Sequence, residues 1–206
     1  MPCASSYPRP PWDLKGTACL SIWRVPADDV PVRDLGVRPA TLFGQCLVGT
    51  AWACYEPGGT LAYKELAAAM AGLVGLRPVI TINDIWVDST AAALAGRELW
   101  GIPKQLAKFD VCPNAVFEAS AEGDGQAIAA VRFASRFVLP GRWPFRFAVA
   151  QPSANRAKLT RARLCGRSEL GRAFWTYAPD GPLAWLAGCR PLVSVRLSLM
   201  TLCFGH

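Results

Sequence analysis

TINDIWVDSTAAALAGRELWGIPKQLAKF (residues 81–109) changes its backbone period in the middle. The opening TINDIWV is rich in β-branched and aromatic residues and reads as a strand. Asp88-Ser89-Thr90 follows, with hydroxyl and carboxylate groups able to cap the first free N–H groups of a helix. AAALAGRELW then supplies strong helix formers until Gly101 and Pro103 stop it. Outward from this stretch the apolar runs are short: LSIWRV (20–25), TLFGQCLVGTAW (41–52), AIAAVRFA (127–134), PFRFAVA (144–150) and PLVSVRLSLMTLCF (191–204). They alternate apolar with polar or are rich in β-branched and aromatic residues. Turn clusters separate them at Glu56-Pro57-Gly58-Gly59, Glu122-Gly123-Asp124-Gly125 and Asp180-Gly181-Pro182. This is the pattern of a mainly antiparallel sheet closed into a barrel or a sandwich. YKELAAAMAGLVGL (63–76) conflicts with it, being helical by propensity yet interrupted by two glycines.

Composition bounds the chemistry. With 206 residues, 52% hydrophobic and 18% charged, the chain is expected to fold as one domain over 1–206. The 18 Gly and 17 Pro are too many for a helical bundle. The one histidine, His206, stands at the end of the chain, which sets aside Ser-His-Asp, Cys-His and zincin-type catalysis. Lys, carboxylate, Tyr and Cys chemistries are left. The 8 cysteines form no C-x-x-C pair, so neither a zinc site nor any other metal or cofactor is expected. MPCASSYPRPPWD shows no apolar signal segment, so a cytoplasmic location with reduced thiols acting as small hydrophobes is expected. The longest uncharged run, Pro39 to Tyr55, is too short and too often broken for a membrane helix. Residues 132–206 hold 12 Lys/Arg against 2 Asp/Glu, yet RAKLTRARLCGRSELGR carries no aromatic platform for bases. A solvated, Arg-rich face is expected there, with neither nucleic acid nor membrane as partner.

Within 81–109, Gly96-Arg97-Glu98 followed by Pro103-Lys104 resembles the acetoacetate decarboxylase family, whose Gly-Arg-Glu motif leads into Pro-Lys-Lys. Tyr63-Lys64-Glu65 matches the family's Tyr-x-Glu at the right upstream distance. Pro11-Trp12-x-Leu14-x-Gly16 and the closing RPLVSVRL are also similar. The resemblance implies an α+β fold dominated by antiparallel strands: a cone-shaped β-barrel with small flanking sheets and a few short helices. It makes 63–76 a strand, since tertiary context overrides an Ala-rich composition. It also makes Lys104 the counterpart of a Schiff-base lysine and Glu65 that of an active-site carboxylate. Three positions depart from the family: Gln105 replaces a second lysine, Thr17 an arginine, and Thr50 a second glutamate.

A free lysine titrates near pKa 10.4, so a Schiff-base lysine must be helped to shed its proton, by burial or by a neighbouring cation. Acetoacetate decarboxylase is itself the standard example of that activation. With Gln105 in place of the cation, burial among Trp100, Ile102, Leu106 and Ala107 is expected to supply it. Glu65 is read as the proton shuttle, against the alternative of an exposed carboxylate beside Lys64. Arg97 and Glu98 are read as a paired buttress for the Lys104 turn, with substrate binding by Arg97 the alternative, and Trp86 and Trp100 as core. The expected function is a lyase of secondary metabolism that acts on a β-keto or 2-oxo acid through a Lys104 iminium. A cyclase, aldolase or dehydratase reusing the pocket and a non-catalytic ligand-binding barrel are the rivals. A small keto acid or ketone is the expected partner, and a homo-oligomer the expected state.

Overall fold

The computed structural model describes residues 7–31, 37–112, 116–152 and 157–206. Its elements in chain order are β1 (Trp12–Pro26), β2 (Arg38–Pro39), β3 (Thr41–Leu42), β4 (Gln45–Tyr55), β5 (Tyr63–Val74), β6 (Arg77–Val87), α1 (Thr90–Trp100), β7 (Lys104–Leu106), β8 (Lys108–Cys112), β9 (Phe117–Gly123), β10 (Gln126–Val138), β11 (Trp143–Gln151), β12 (Lys158–Tyr177) and β13 (Pro191–Phe204). The YKELAAAMAGLV segment is strand β5, as the resemblance implies and against its helical propensity. Strands pair in the order β6-β5-β4-β1-β13-β12-β11, and β11 returns to β6 through a parallel contact of Val149 with Ile80. The ring is thereby closed into a barrel.

β12 joins this barrel to the flanking sheet. Lys158 to Gly166 pair with β11, whereas Glu169 to Tyr177 pair with β10, which continues into β9 and β8. The Arg-rich run falls on this strand, to which the sequence reading gave no strand. Arg161, Arg163, Arg167 and Arg172 are exposed, while Thr160, Ala162, Gly166, Ser168 and Ala173 between them are buried. The solvated arginines are therefore the exposed positions of a twenty-residue strand whose covered side changes between Ser168 and Ala173.

One large buried cluster lies outside the barrel. The outward side chains Trp52, Leu66, Ala68 and Trp86 pack against Phe117, Ile128 and Phe133 of the flanking sheet. Trp23, Val48 and Met70 extend this layer. Cys19 belongs to it, and burial pushes its thiol up to about 12, the behaviour expected of an inert small hydrophobe. A second cluster fills the narrow end of the barrel, where Trp12, Leu14, Tyr55, Tyr63 and Met200 meet Ala92, Ala95 and Trp100 of α1. No helix among the described residues is long and apolar enough to cross a membrane.

Gly16 permits the close approach of β1 and β4 at this end. A Cβ there would lie 1.9 Å from the Cys54 carbonyl oxygen, a backbone atom that cannot swing aside. Gly16→Ala should destabilise the protein by about 3 kcal/mol, the upper part of the range for overpacking. Urea unfolding midpoints of the two proteins measure it, and an unchanged midpoint would contradict this strand spacing.

Candidate functional site

Local chain geometry delivers one lysine to the narrow end of the barrel. Ser89 caps α1 by accepting the Ala92 N–H at 3.3 Å. Gly101 then adopts the left-handed conformation at φ 67°, which lets Gly101 and Ile102 donate to the carbonyls of Arg97 and Gly96. The reversed chain forms β7 parallel to β6, with Lys104 opposite Ile85. Arg97 Nε donates to the Lys104 carbonyl at 2.7 Å and fixes the strand to the helix. The Lys104 stem crosses α1 at Gly96, where a Cβ would come within 2.6 Å of Lys104 Cδ. The glycine of Gly-Arg-Glu is thus a groove for the lysine, a role its place in the motif did not reveal.

The ammonium meets a carboxylate carried by β5. Lys104 Nζ lies 2.7 Å from Glu65 Oε2, with the side chains 4% and 14% exposed. Nζ also donates to the Tyr63 hydroxyl at 3.2 Å and stands 4.8 Å from the centre of the Tyr63 ring. Tyr55 donates to Glu65 Oε1 at 3.3 Å, and the two tyrosine rings are 4.7 Å apart. Burial, reinforced by the Glu65 charge, holds both phenols well above their ordinary pKa, so both stay protonated donors. Asp88 completes the frame by accepting the Lys64 backbone N–H at 2.7 Å, which ties β5 beside Glu65 to the start of α1.

The other residues singled out in the sequence lie further from the ammonium. Glu98 does not pair with Arg97; it accepts a hydrogen bond from Tyr7 and ties α1 to the segment before β1. Gln105 follows Lys104 on a strand, so its side chain takes the opposite face, and it is exposed. Leu106 is 51% exposed and adds little to the apolar surround, whereas Ile102 and Trp100 are buried. Trp86 is also buried, as expected of core. Thr50 accepts the Trp23 indole N–H at 2.8 Å in the outer layer, and Thr17 pairs with Cys54 on that same outward side. The inner-face neighbours of Glu65 are therefore Ala53, its register partner, and Ala18 beyond it. Tyr55 was missed altogether. Its only sequence signal is its place in the strand before the Glu56-Pro57-Gly58-Gly59 turn, directly opposite Tyr63. Two clefts of about 500 and 550 Å³ open elsewhere, beside Lys158 and Arg161 and beside Phe109 and Tyr177; neither is lined by Lys104 or Glu65.

Fold and site together define a closed barrel with one buried amine and one buried carboxylate in contact, held by two tyrosines. A family model of acetoacetate decarboxylase matches residues 42–155, more than half of the chain, and the protein belongs to that family. The acetoacetate decarboxylase of Legionella pneumophila is similar at TM-score 0.73 and 14% identity, covering 100% of this chain and 90% of that one. An acetoacetate decarboxylase-like enzyme from Sphingomonas wittichii RW1 aligns at TM-score 0.67 and 18% identity, over 98% and 96% of the two chains. The enduracididine biosynthesis enzyme MppR, in a structure with pyruvate, aligns at TM-score 0.67 and 16% identity, over 97% and 88%. No curated protein sequence matches the chain.

Gly96→Ala should push the Lys104 stem out of its groove and separate the ammonium from Glu65. Labelling of Lys104 by an amine-reactive reagent, followed by mass spectrometry, should rise at least tenfold, roughly the effect of losing one charged hydrogen bond. The melting midpoint should fall by about 2–4 °C per kcal/mol of strain. A variant labelled no faster than the parent would show that Gly96 does not seat the lysine.

Proposed function

We propose that the protein is a lyase acting on a β-keto or 2-oxo acid through a Schiff base at Lys104. The supporting observation is the 2.7 Å contact of Lys104 with Glu65 in a site where both are largely removed from water. Glu65 takes the proton that the ammonium must lose. The free amine attacks the substrate carbonyl carbon, Glu65 hands the proton on to the carbonyl oxygen, which leaves as water, and a cationic iminium remains. The iminium accepts the electron pair of the breaking C–C bond as CO2, or another carbon fragment, departs. Glu65, protonated anew from solvent, delivers that proton to the α-carbon of the resulting enamine, and water hydrolyses the iminium to free Lys104. Tyr55 and Tyr63, fixed as neutral donors, hold Glu65 in place through the cycle.

A second reading keeps the iminium but uses it for aldol-type bond formation or dehydration. Ala18 and Ala53 favour it, because neither can hold a departing carboxylate beside Glu65.

Borohydride added with acetoacetate or pyruvate should place one reduced adduct on Lys104, located by peptide mass spectrometry. Glu65→Gln should keep much of this trapping while slowing turnover about 10²–10⁴-fold, the range for a general acid–base group. Absence of any adduct, or adducts scattered over several lysines, would leave a ligand-binding barrel as the better reading.

Gln105→Lys tests activation by burial. Side chain 105 is exposed on the far face of β7, where solvent and salt screen a new charge. The pH profile of trapping should therefore stay in place. A shift to lower pH would show that the added ammonium reaches Lys104 through the strand.

A further inference from the structure

The strands above the Lys104–Glu65 pair are more open on their inner face than on their outer one. On β4, the outward Thr50 and Trp52 are each 1% exposed, while the inward Gly49 and Ala51 remain partly open to solvent. On β5, Leu66, Ala68 and Met70 are fully covered outward, while Ala67, Ala69 and Ala71 are partly open inward. β1 and β13 repeat the contrast, with Ile22 and Val193 at 37% and 41% beside fully covered Ser21 and Trp23. These residues face into the barrel by strand register, so the interior above the lysine is partly accessible to solvent, with Ala67, Leu20 and Val195 packed on the floor cluster.

Strand register arranges this space in three layers. Glu65, Ala53, Ala18 and Leu197 form the floor with Lys104. Ala67, Ala51, Leu20 and Val195 form the next layer, and Ala69, Gly49, Ile22 and Val193 the rim. From Glu65 to Ala69 the wall rises about 13 Å at the usual advance per strand residue. Within these two layers β4 and β5 carry nothing larger than a methyl, facing branched aliphatic side chains of β1 and β13. None of the residues named in the two upper layers has a charged or hydrogen-bonding side chain, so a polar group placed against them would lose its water without replacement; one step above the rim β1 turns Arg24 inward, opposite Leu47.

We propose that the substrate carries an extended apolar tail, alkyl or aryl, lying in this slot with its carbonyl at Lys104. This rests on the Schiff-base reading for the position of the carbonyl, whereas the slot itself stands on strand register and exposure. A substrate the size of acetoacetate or pyruvate would fill only the floor. A tail displaces water from the alanine wall and gains about fourfold in affinity for each buried methylene.

Borohydride trapping across 2-butanone, 2-hexanone, 2-octanone and 4-phenyl-2-butanone, beside acetoacetate and pyruvate, reads the tail. Calorimetry with 2-octanol, which cannot form an iminium, reads the slot alone. The half-trapping concentration should fall about fourfold per methylene until the rim is reached, and 2-octanol should bind. Ala67→Leu should weaken both at least tenfold. If that variant is unfolded by its melting curve, Ile22→Glu at the open rim serves in its place. Binding of 2-octanol without adducts from any ketone would keep the slot and remove the Schiff base. Trapping of all ketones alike, without 2-octanol binding, would overturn the slot and keep the Schiff base. Failure of both measurements would overturn both.

Discussion

An ammonium and a carboxylate 2.7 Å apart, away from water, set the terms for the surrounding structure. Desolvating each ion costs several kcal/mol, and mutual attraction offsets this only if the remaining hydrogen-bonding positions are filled. Tyr63 takes up one more proton of Lys104, and Tyr55 satisfies the second oxygen of Glu65. These partners come from three strands and must converge at one point. Asp88 fixes β5, Arg97 fixes β7, and Gly96 leaves room for the lysine stem between them. The Gly-Arg-Glu and Val-Asp-Ser segments are therefore scaffolding for the pair. Their side chains hold the backbones that present Lys104 and Glu65.

The parts of this arrangement set by local chemistry were legible in the sequence. The Ser89 cap and the Gly101 stop bound α1 as read, and the alternating runs became strands. The family motif brought Lys104 and Glu65 forward as a pair, and the geometry places them in contact. What was not legible depended on the face a strand residue takes, which inverts with a shift of one position. Thr17, Thr50 and Gln105 align with charged positions of the family, yet each lies one residue from an inward-facing position. A bulge between Gly16 and Ala18 on the β13 side adds to the difficulty on β1. β12 escaped notice for another reason. Its covered side is built largely from Ala, Gly, Ser and Thr between exposed arginines, so it carries no alternation of large apolar residues to signal a strand.

The alanine-rich composition that made 63–76 read as helix has a structural explanation in the barrel. Ala68 is small because the outer layer closes tightly over it, and it is fully covered. Ala67, Ala69 and Ala71 face the opposite way and leave the interior open. Two unrelated requirements, close packing outside and vacancy inside, thus produce a single run of one residue type. Helix propensity cannot separate them, because it registers the residues and not the surfaces they face.

Placing much of the core outside the barrel separates stability from the shape of the upper wall. Phe117, Phe133, Leu66 and Met70 are fully covered there, and burying each such side chain contributes about 1.5–3 kcal/mol. Those contacts join β4, β5 and β6 to the flanking sheet without using a single inward side chain above the floor. An ordinary barrel fills its interior to hold its strands together, and replacing inward residues by alanine would there cost cavity energy. Here the strands are held from behind. On β4 and β5 the inner wall can consist of glycine and alanine while the ring stays closed. The narrow end is the exception. There Trp12, Tyr55, Tyr63 and Trp100 pack directly around the charged pair, and core and site are the same residues. The barrel therefore joins a closely packed floor around Lys104 and Glu65 to a wall of small residues that carries less of the packing.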